Sequence, residues 1–414
     1  MKKLIIFTDV VSGYGGAQLL IVRRTKHLEA QGIKTYIVVR RHLGAYPLED
    51  EYGDTPILYQ PIIDRPFSFV RNKQKESLVL QIRLFVKDVD AETIVESHSM
   101  QECVWAEYFS SKVGARHVFY SIDGAERFSH YLYYPYKDFF FYKYKKHEIA
   151  ALTPYSLSVS LDRETEYDED YLRVPFDPQE ILDTTIPVLE KSEPNETIRI
   201  STITRLDKFS FIPFIDDVVN HARHTDRKIV LSVYGSCTNK SLEKEIKSRY
   251  EGVKFSSNLT IKFIGQVKMG RDLFEYTDVY FGIGTAVLNA ASQKIPSVVI
   301  NIDKNGLSYC IFGVDTKEFA LCHDADRTYN ISEIITRVMS KEWGCYSEEG
   351  YRLLIDEYTL SAFEKRYNNF LKSTLTWYNF DNITYITVVK DLFIHYALKY
   401  YHTIRKYYGR NRNK

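Results

Sequence analysis

Cysteine, methionine and tryptophan are scarce in this chain of 414 residues, at five, four and three. The cysteines, Cys103, Cys237, Cys310, Cys322 and Cys345, are dispersed, odd in number and form no CxxC pair. That spacing argues against a disulfide framework or a zinc site. Also missing is any run of about 18 apolar residues, the length a membrane-spanning helix needs. The opening "MKKLIIFTDVV" has only four apolar residues between its lysines and Thr8. That is too short for a signal peptide and reads as a first strand, so a cytoplasmic protein is expected. Net charge is nearly absent at +1, so no global attraction to nucleic acid follows.

What is present is length enough for two full cores and a tail. Short apolar segments alternate with helical ones. "KLIIFTDV", "GGAQLLIVRRTKHLEAQG" and "KTYIVVR" form a strand, a helix closed by Gly32 and a second strand. Such a βαβ unit implies a parallel sheet. "ETIVESHS" and "HVFYSID" read as further strands. Four prolines and many charges between Arg173 and Glu196 mark a linker. A second series follows, with "TIRISTITRL", "KIVLSVYG", "LTIKFIGQV", "VYFGIG" and "SVVIN" as strands. Among its helices, "SLEKEIKSRYEG" reads as capped by Ser241. In "FGIGTAVLNAASQKIPSVVI" (281–300), Gly282 and Gly284 precede a helix with Thr285 as its N-cap and Asn289 at its middle. A glycine loop before a helix N-terminus, between strands, is an anion-binding device.

The order of these segments resembles the nucleotide-sugar glycosyltransferases of GT-B fold, in particular the large retaining group often called family four. Over residues 1–370, the segments "GYGGAQ" (13–18), "VESHS" (95–99), "TRLDK" (204–208), "LSVYGS" (231–236), "IKFIGQV" (261–267), "FGIGTAVLNAASQKIPSVVI" and "YTLSAFEKRYNNFL" (358–371) match that family's landmarks in order. The resemblance implies an α/β fold of two doubly wound, Rossmann-like domains facing across a cleft, with a crossover helix and a basic helical tail. The expected divisions are 1–176 for the acceptor-side domain, 177–196 for the linker, 197–349 for the donor-nucleotide domain and 350–414 for the crossover helix and tail. It also implies retention of anomeric configuration and a UDP-sugar or similar donor.

Sugar transfer leaves a nucleoside diphosphate, whose charge must be neutralised as the bond breaks. Arg205 and Lys208 are the candidate cations, and ordinary surface charges are the plainer reading. Gly15 and Gly16 fit the family's first turn, where the chain approaches substrate closely. The resemblance puts His98 near the sugar; the plainer reading is a histidine satisfied at a strand end. Asp123 is an acceptor-side candidate, or a turn-forming Asp-Gly. Gly282, Gly284, Thr285 and Asn289 would line the donor pocket. Two positions depart from the family pattern: Phe281 and Asn289 stand where it carries glutamates. Ser210 also replaces a second cation, with Lys208 near enough to substitute. Neither Asp88/Asp90 nor Asp168/Asp170 sits in a suitable Gly-rich turn, so no catalytic metal is expected, and no cofactor. A non-catalytic subunit that partners an active transferase is the alternative, since both glutamates are gone. A sugar-nucleotide epimerase would need acidic residues that the sequence does not offer.

Two segments suggest a membrane interface and a lipid-linked glycan acceptor, as in bacterial surface polysaccharide synthesis at the inner face of the plasma membrane. "YLYYPYKDFFFYKYKKHE" (131–148) mixes aromatics with lysines, although an aromatic core helix with a solvated lysine face fits it as well. Residues 390–414 hold seven Lys/Arg and one Asp. Ile386, Val389, Phe393, Ala397, Tyr400, Ile404 and Tyr407 recur at spacings of three and four, one face of an amphipathic helix. The alternative there is a packed crossover helix that ends in charge.

Overall fold

The computed structural model describes residues 2–12, 16–41, 49–122, 127–128, 135–165, 171–176, 197–237, 239–252, 255–267, 271–303, 306–340, 342–390 and 393. Every residue of β1 (Lys3–Thr8) after Lys3 is buried, because the strand lies inside a six-stranded parallel sheet. β2 (Lys34–Val39) and β3 (Ile57–Tyr59) extend that sheet on one side. β4 (Thr93–Ser97), β5 (Arg116–Ser121) and β6 (Ile149–Ala151) extend it on the other. The order is β3-β2-β1-β4-β5-β6. It reverses between β1 and β4, and ligands of such sheets bind outside the carboxyl ends of the strands at that reversal. The helices α1 (Gly16–Ala30), α2 (Asn72–Val86), α3 (Met100–Val113), α4 (Pro135–Lys145) and α5 (Pro154–Leu161) alternate with these strands. Past the end of α1, Gly32 adopts φ +75°, the left-handed turn read from the sequence.

The second sheet repeats the scheme. Its strands are β7 (Thr197–Ile203), β8 (Lys228–Tyr234), β9 (Leu259–Gly265), β10 (Val279–Gly282), β11 (Ser297–Asp303) and β12 (Gly306–Ile311), in the order β12-β11-β10-β7-β8-β9. All pairs are parallel except β11 with β12. Counted from its own first strand, this order equals that of the first sheet, with the reversal between β7 and β10. The helices are α6 (Phe211–Arg223), α7 (Lys240–Tyr250), α8 (Thr285–Ser292), α9 (Ile331–Val338) and α10 (Trp343–Glu357). Each sheet has its own apolar core, around Phe7, Trp105 and Phe119 in one and Phe214, Leu231 and Phe281 in the other.

The chain divides into two units, Met1–Pro175 with Leu360–Lys414, and Phe176–Thr359. α11 (Leu360–Phe370) therefore returns to the first unit. It does so on Arg24, fully buried in α1. The Arg24 guanidinium donates to Glu364 at 3.2 Å and stacks on Phe363 and Tyr367 at 4.8 and 4.1 Å. Further along, the Trp377 indole donates to the Ala115 carbonyl at 2.8 Å, and the Tyr378 N–H donates to Glu107 at 2.8 Å.

Three local expectations change. The cap of α7 is Asn239, whose side chain accepts from the N–H groups of Ser241 and Leu242; Ser241 itself lies inside the helix. Likewise Thr285 is the first residue of α8, and Gly284 occupies the N-cap. In the segment 131–148, the described part is a core helix: Tyr136, Phe139, Phe140 and Tyr144 are buried. Its lysine face is not wholly solvated, because Lys143 is buried too, donating to Glu107 at 2.9 Å and Glu148 at 2.6 Å. Residues 131–134, the segment 177–196, and Ala397, Tyr400, Ile404 and Tyr407 lie outside the described residues.

Candidate functional site

In the second unit the residues of interest gather at the reversal of strand order. β7 ends at Ile203, and the chain turns at once: the Lys208 N–H donates to the Arg205 carbonyl at 3.2 Å, and α6 follows. This turn projects the Arg205 side chain outward, 69% exposed, with Nε 3.2 Å from Asp207. Lys208 is half-buried; burial and the adjacent Arg205 guanidinium both push its ammonium below its ordinary value. Two cations this close repel, and an incoming dianion relieves that repulsion. Ser210, where the second cation was missing, is buried at the start of α6.

β10 lies beside β7, with Val279 opposite Ile200. It ends at Gly282, where an added Cβ would meet the Tyr280 side chain at 2.2 Å, so a larger residue requires that buried ring to move. Gly284 has φ +91°, a conformation that side chains disfavour, and its N–H donates to the Phe319 carbonyl at 2.9 Å. That bend starts α8 at the carboxyl edge of the sheet. The first N–H groups of any helix lack partners within it, which makes this N-terminus electropositive. Asn289, one turn further, is buried, and its Oδ1 has no hydrogen-bond partner. A buried polar atom of this kind calls for a ligand or water. Phe281 serves no such purpose. It is fully buried, its ring 5.5 Å from that of Phe214 and 5.7 Å from that of Tyr309.

The first unit has its own cluster at its own reversal. His98 follows β4 directly and its N–H donates to the Phe7 carbonyl of β1 at 3.2 Å. The imidazole Nε2 lies 2.8 Å from Glu96, while Nδ1 is buried without a partner. Burial alone would raise the Glu96 carboxyl, but Arg24 and His98 hold it down at about 2. Because Glu96 is then an acceptor only, Nε2 must carry the proton that it shares with Glu96. With Nε2 donating to Glu96, Nδ1 is the ring nitrogen left for a further partner. Gly16 opens α1 and is exposed. Gly15 and Asp123 lie outside the described residues.

Sequence reasoning missed the supports of His98 and a second polar group. Glu96 carried a signal, since it puts a charge at the end of an apolar strand, whereas Arg24, among Arg23, Thr25 and Lys26, carried none. The second group joins Asp9, just past β1, Arg40 and Arg41, just past β2, Asp64 and Glu102 of α3. Arg40 lies 2.8 Å from Asp9 and 2.9 Å from Glu102. Its Nε proton is directed at Asp9, so Glu102 gains attraction without a hydrogen bond. Burial pushes the Glu102 carboxyl up to about 7. No pattern in the sequence brings those five together; only the adjacency of β1, β2 and α3 does. Among the described residues, no group of His, Cys, Asp and Glu is arranged to hold a metal ion.

No family model matches the chain, and no curated protein matches its sequence. Solved structures do match. HepE from Anabaena, in complex with UDP and glucose, is similar at 12% identity and a TM-score of 0.55, over 89% of this chain and 99% of that one. The lipopolysaccharide outer core galactosyltransferase WaaB, in its apo form, is similar at 14% identity and a TM-score of 0.58, over 89% and 99%. A variant of S. aureus TarM, with fondaparinux, alpha-GlcNAc-glycerol and UDP, is similar at 10% identity and a TM-score of 0.57, over 90% and 100%. The chain has the GT-B fold these proteins share.

Proposed function

We propose that this protein is a glycosyltransferase that moves a sugar from a nucleotide-sugar donor, a UDP-sugar before others, to a glycan acceptor in bacterial surface polysaccharide synthesis. One observation carries this reading. Arg205, Lys208, the glycine bend Gly282–Gly284 and the N-terminus of α8 stand on adjacent strand ends of one sheet, beside the unpartnered Oδ1 of Asn289. That set matches a nucleoside diphosphate: cations and helix N–H groups for the phosphates, an amide for a ribose hydroxyl. UDP in the HepE and TarM complexes supports the choice of nucleotide.

In this mechanism Arg205 and Lys208 bind the diphosphate and take up the charge that grows on the leaving oxygen. The α8 N-terminus adds its dipole. Asn289 orients the ribose through a neutral bond, about half as strong as a charge-assisted one, so nucleotide affinity is modest. His98, locked by Glu96, offers Nδ1 to a sugar hydroxyl. The reaction retains anomeric configuration and uses no metal; Arg205 and Lys208 supply the positive charge a metal would bring.

Calorimetric titration with UDP, of the wild-type chain and of Arg205→Ala, tests the reading. Binding that the variant loses supports a working donor site. Absence of binding by every nucleoside diphosphate, from a folded protein, overturns it in favour of a non-catalytic partner subunit.

A further inference from the structure

The C-terminal helical segment leaves an apolar face uncovered. Residues 385–390 and 393 are helical. Val388 on one side, and Ile383 just before the helix, are buried in the core of the first unit. The other side carries Tyr385, Ile386, Val389 and Phe393, all exposed, Ile386 to 76% and Phe393 to 77%. Their spacing of three and four keeps Ile386, Val389 and Phe393 in one stripe. Phe69, also exposed, widens the patch: its ring meets that of Tyr385 at 5.1 Å, edge to face. A helix meant only to pack on its own unit would bury one face and carry polar residues on the other. This one is apolar on both, so the outward stripe serves a second contact.

The sequence that follows says what that contact is. Residues 390–414 carry seven Lys/Arg against one Asp, and Ala397, Tyr400, Ile404 and Tyr407 extend the apolar spacing of the stripe. A stripe of aromatic and aliphatic side chains, followed in the sequence by clustered cations, complements the acyl boundary and the anionic headgroups of a bilayer. An acidic protein or a nucleic acid would meet the cations but leave Ile386 and Val389 without a counterpart. Among the described residues no helix is long and apolar enough to cross a membrane.

We propose that the stripe Tyr385, Ile386, Val389 and Phe393, with Phe69, docks on the surface of an anionic lipid bilayer, steered there by the basic residues 390–414. The inference is independent of the proposed activity, because binding is measured without donor or acceptor.

Flotation of the full chain with vesicles tests it. The chain is expected to float with phosphatidylglycerol-containing vesicles and to stay behind with phosphatidylcholine alone, and high salt is expected to release it. The triple variant Ile386→Ser, Val389→Ser, Phe393→Ser keeps every basic residue. Its binding is expected to fall by about tenfold or more, since three apolar side chains leave the contact. An unchanged melting temperature shows that the variant folds, as these side chains are exposed. The proposal is overturned if the wild-type chain stays behind, or if the variant floats as well as wild type. It is also overturned if light scattering shows a dimer that the variant dissolves and no lipid binding, since a second copy would then cover the stripe.

Discussion

Glu96 holds His98: Oε1 accepts from Nε2 at 2.8 Å, and both side chains are buried. The pair does not stand alone. Arg24 donates to both oxygens of Glu96, and Glu364 of α11 accepts from Arg24. The returning helix thus fixes the orientation of an imidazole at the edge of the first sheet. Glu96→Ala leaves the Arg24 guanidinium buried with only Glu364 as its carboxylate partner, a loss of about 3–5 kcal/mol. Urea unfolding reads that loss directly. Equal stability of the variant and wild type would remove Glu96 from this role.

Glu102 gives a pH dependence of definite sign. Its folded carboxyl lies at about 7, above the ordinary 4.5. The folded state therefore binds this proton more tightly than the unfolded chain does. The stabilisation is complete below pH 4.5 and is lost as pH rises through 7. Glu102→Gln removes the titration. Relative to wild type, the variant is expected to gain stability from pH 5 to about pH 7 and to level off above it, read as the difference in urea midpoints at each pH. A difference independent of pH would contradict the assignment.

Lys143 is a buried cation between Glu107 and Glu148. Its attraction, with the His117 hydrogen bond, holds Glu107 at about 2 against burial, and burial with Lys143 lowers His117 to about 4. Lys143→Met leaves Glu107 buried without a cation, whereas Glu148 keeps Lys146 at 3.0 Å, and is expected to cost about 3–5 kcal/mol. Adding Glu107→Gln to Lys143→Met should return part of that cost, because one buried charge is removed. Thermal denaturation of the single and double variants measures both effects.

Phe281 and Arg205 make a contrast. Phe281 fills the core of the second unit, so Phe281→Ala is expected to lose about 3–5 kcal/mol. Arg205 is exposed, so Arg205→Ala should change stability by about 0.5 kcal/mol or less while abolishing UDP binding. Measuring both properties for both variants separates a packing residue from a binding one. If Arg205→Ala unfolded the unit, its effect on UDP would say nothing about the donor site, and the charge-conserving Arg205→Lys would replace it in the titration.

The strands read from the sequence were legible because each carries a local pattern, whereas β3, β6 and β12, all at sheet edges, were not read. β1 is a continuous apolar run since it is buried on both faces, and Gly32 ends its helix because a left-handed turn needs no Cβ. Caps were read less well. Asn239 and Gly284 each displaced a hydroxyl residue two or one positions later, since the choice among neighbouring caps depends on where the helix meets its sheet. The aromatic segment 131–148 was ambiguous between interface and core for the same reason: composition reports that rings need burial, and says nothing of what buries them.

From the sequence alone came the alternation that makes two largely parallel sheets, the cations Arg205 and Lys208 after β7, the glycine bend before α8, and the absence of a glutamate at Phe281. These are properties of short segments, and short segments encode them. The tertiary structure decided what lies between segments. It buried Phe281, left the Asn289 oxygen without a partner, set Glu96 on His98, and brought Arg24 to the helix that returns from residue 360. Side chains tens or hundreds of residues apart meet only when strands take their order in the sheet, and that order is fixed by the burial of whole faces rather than by any one stretch of sequence.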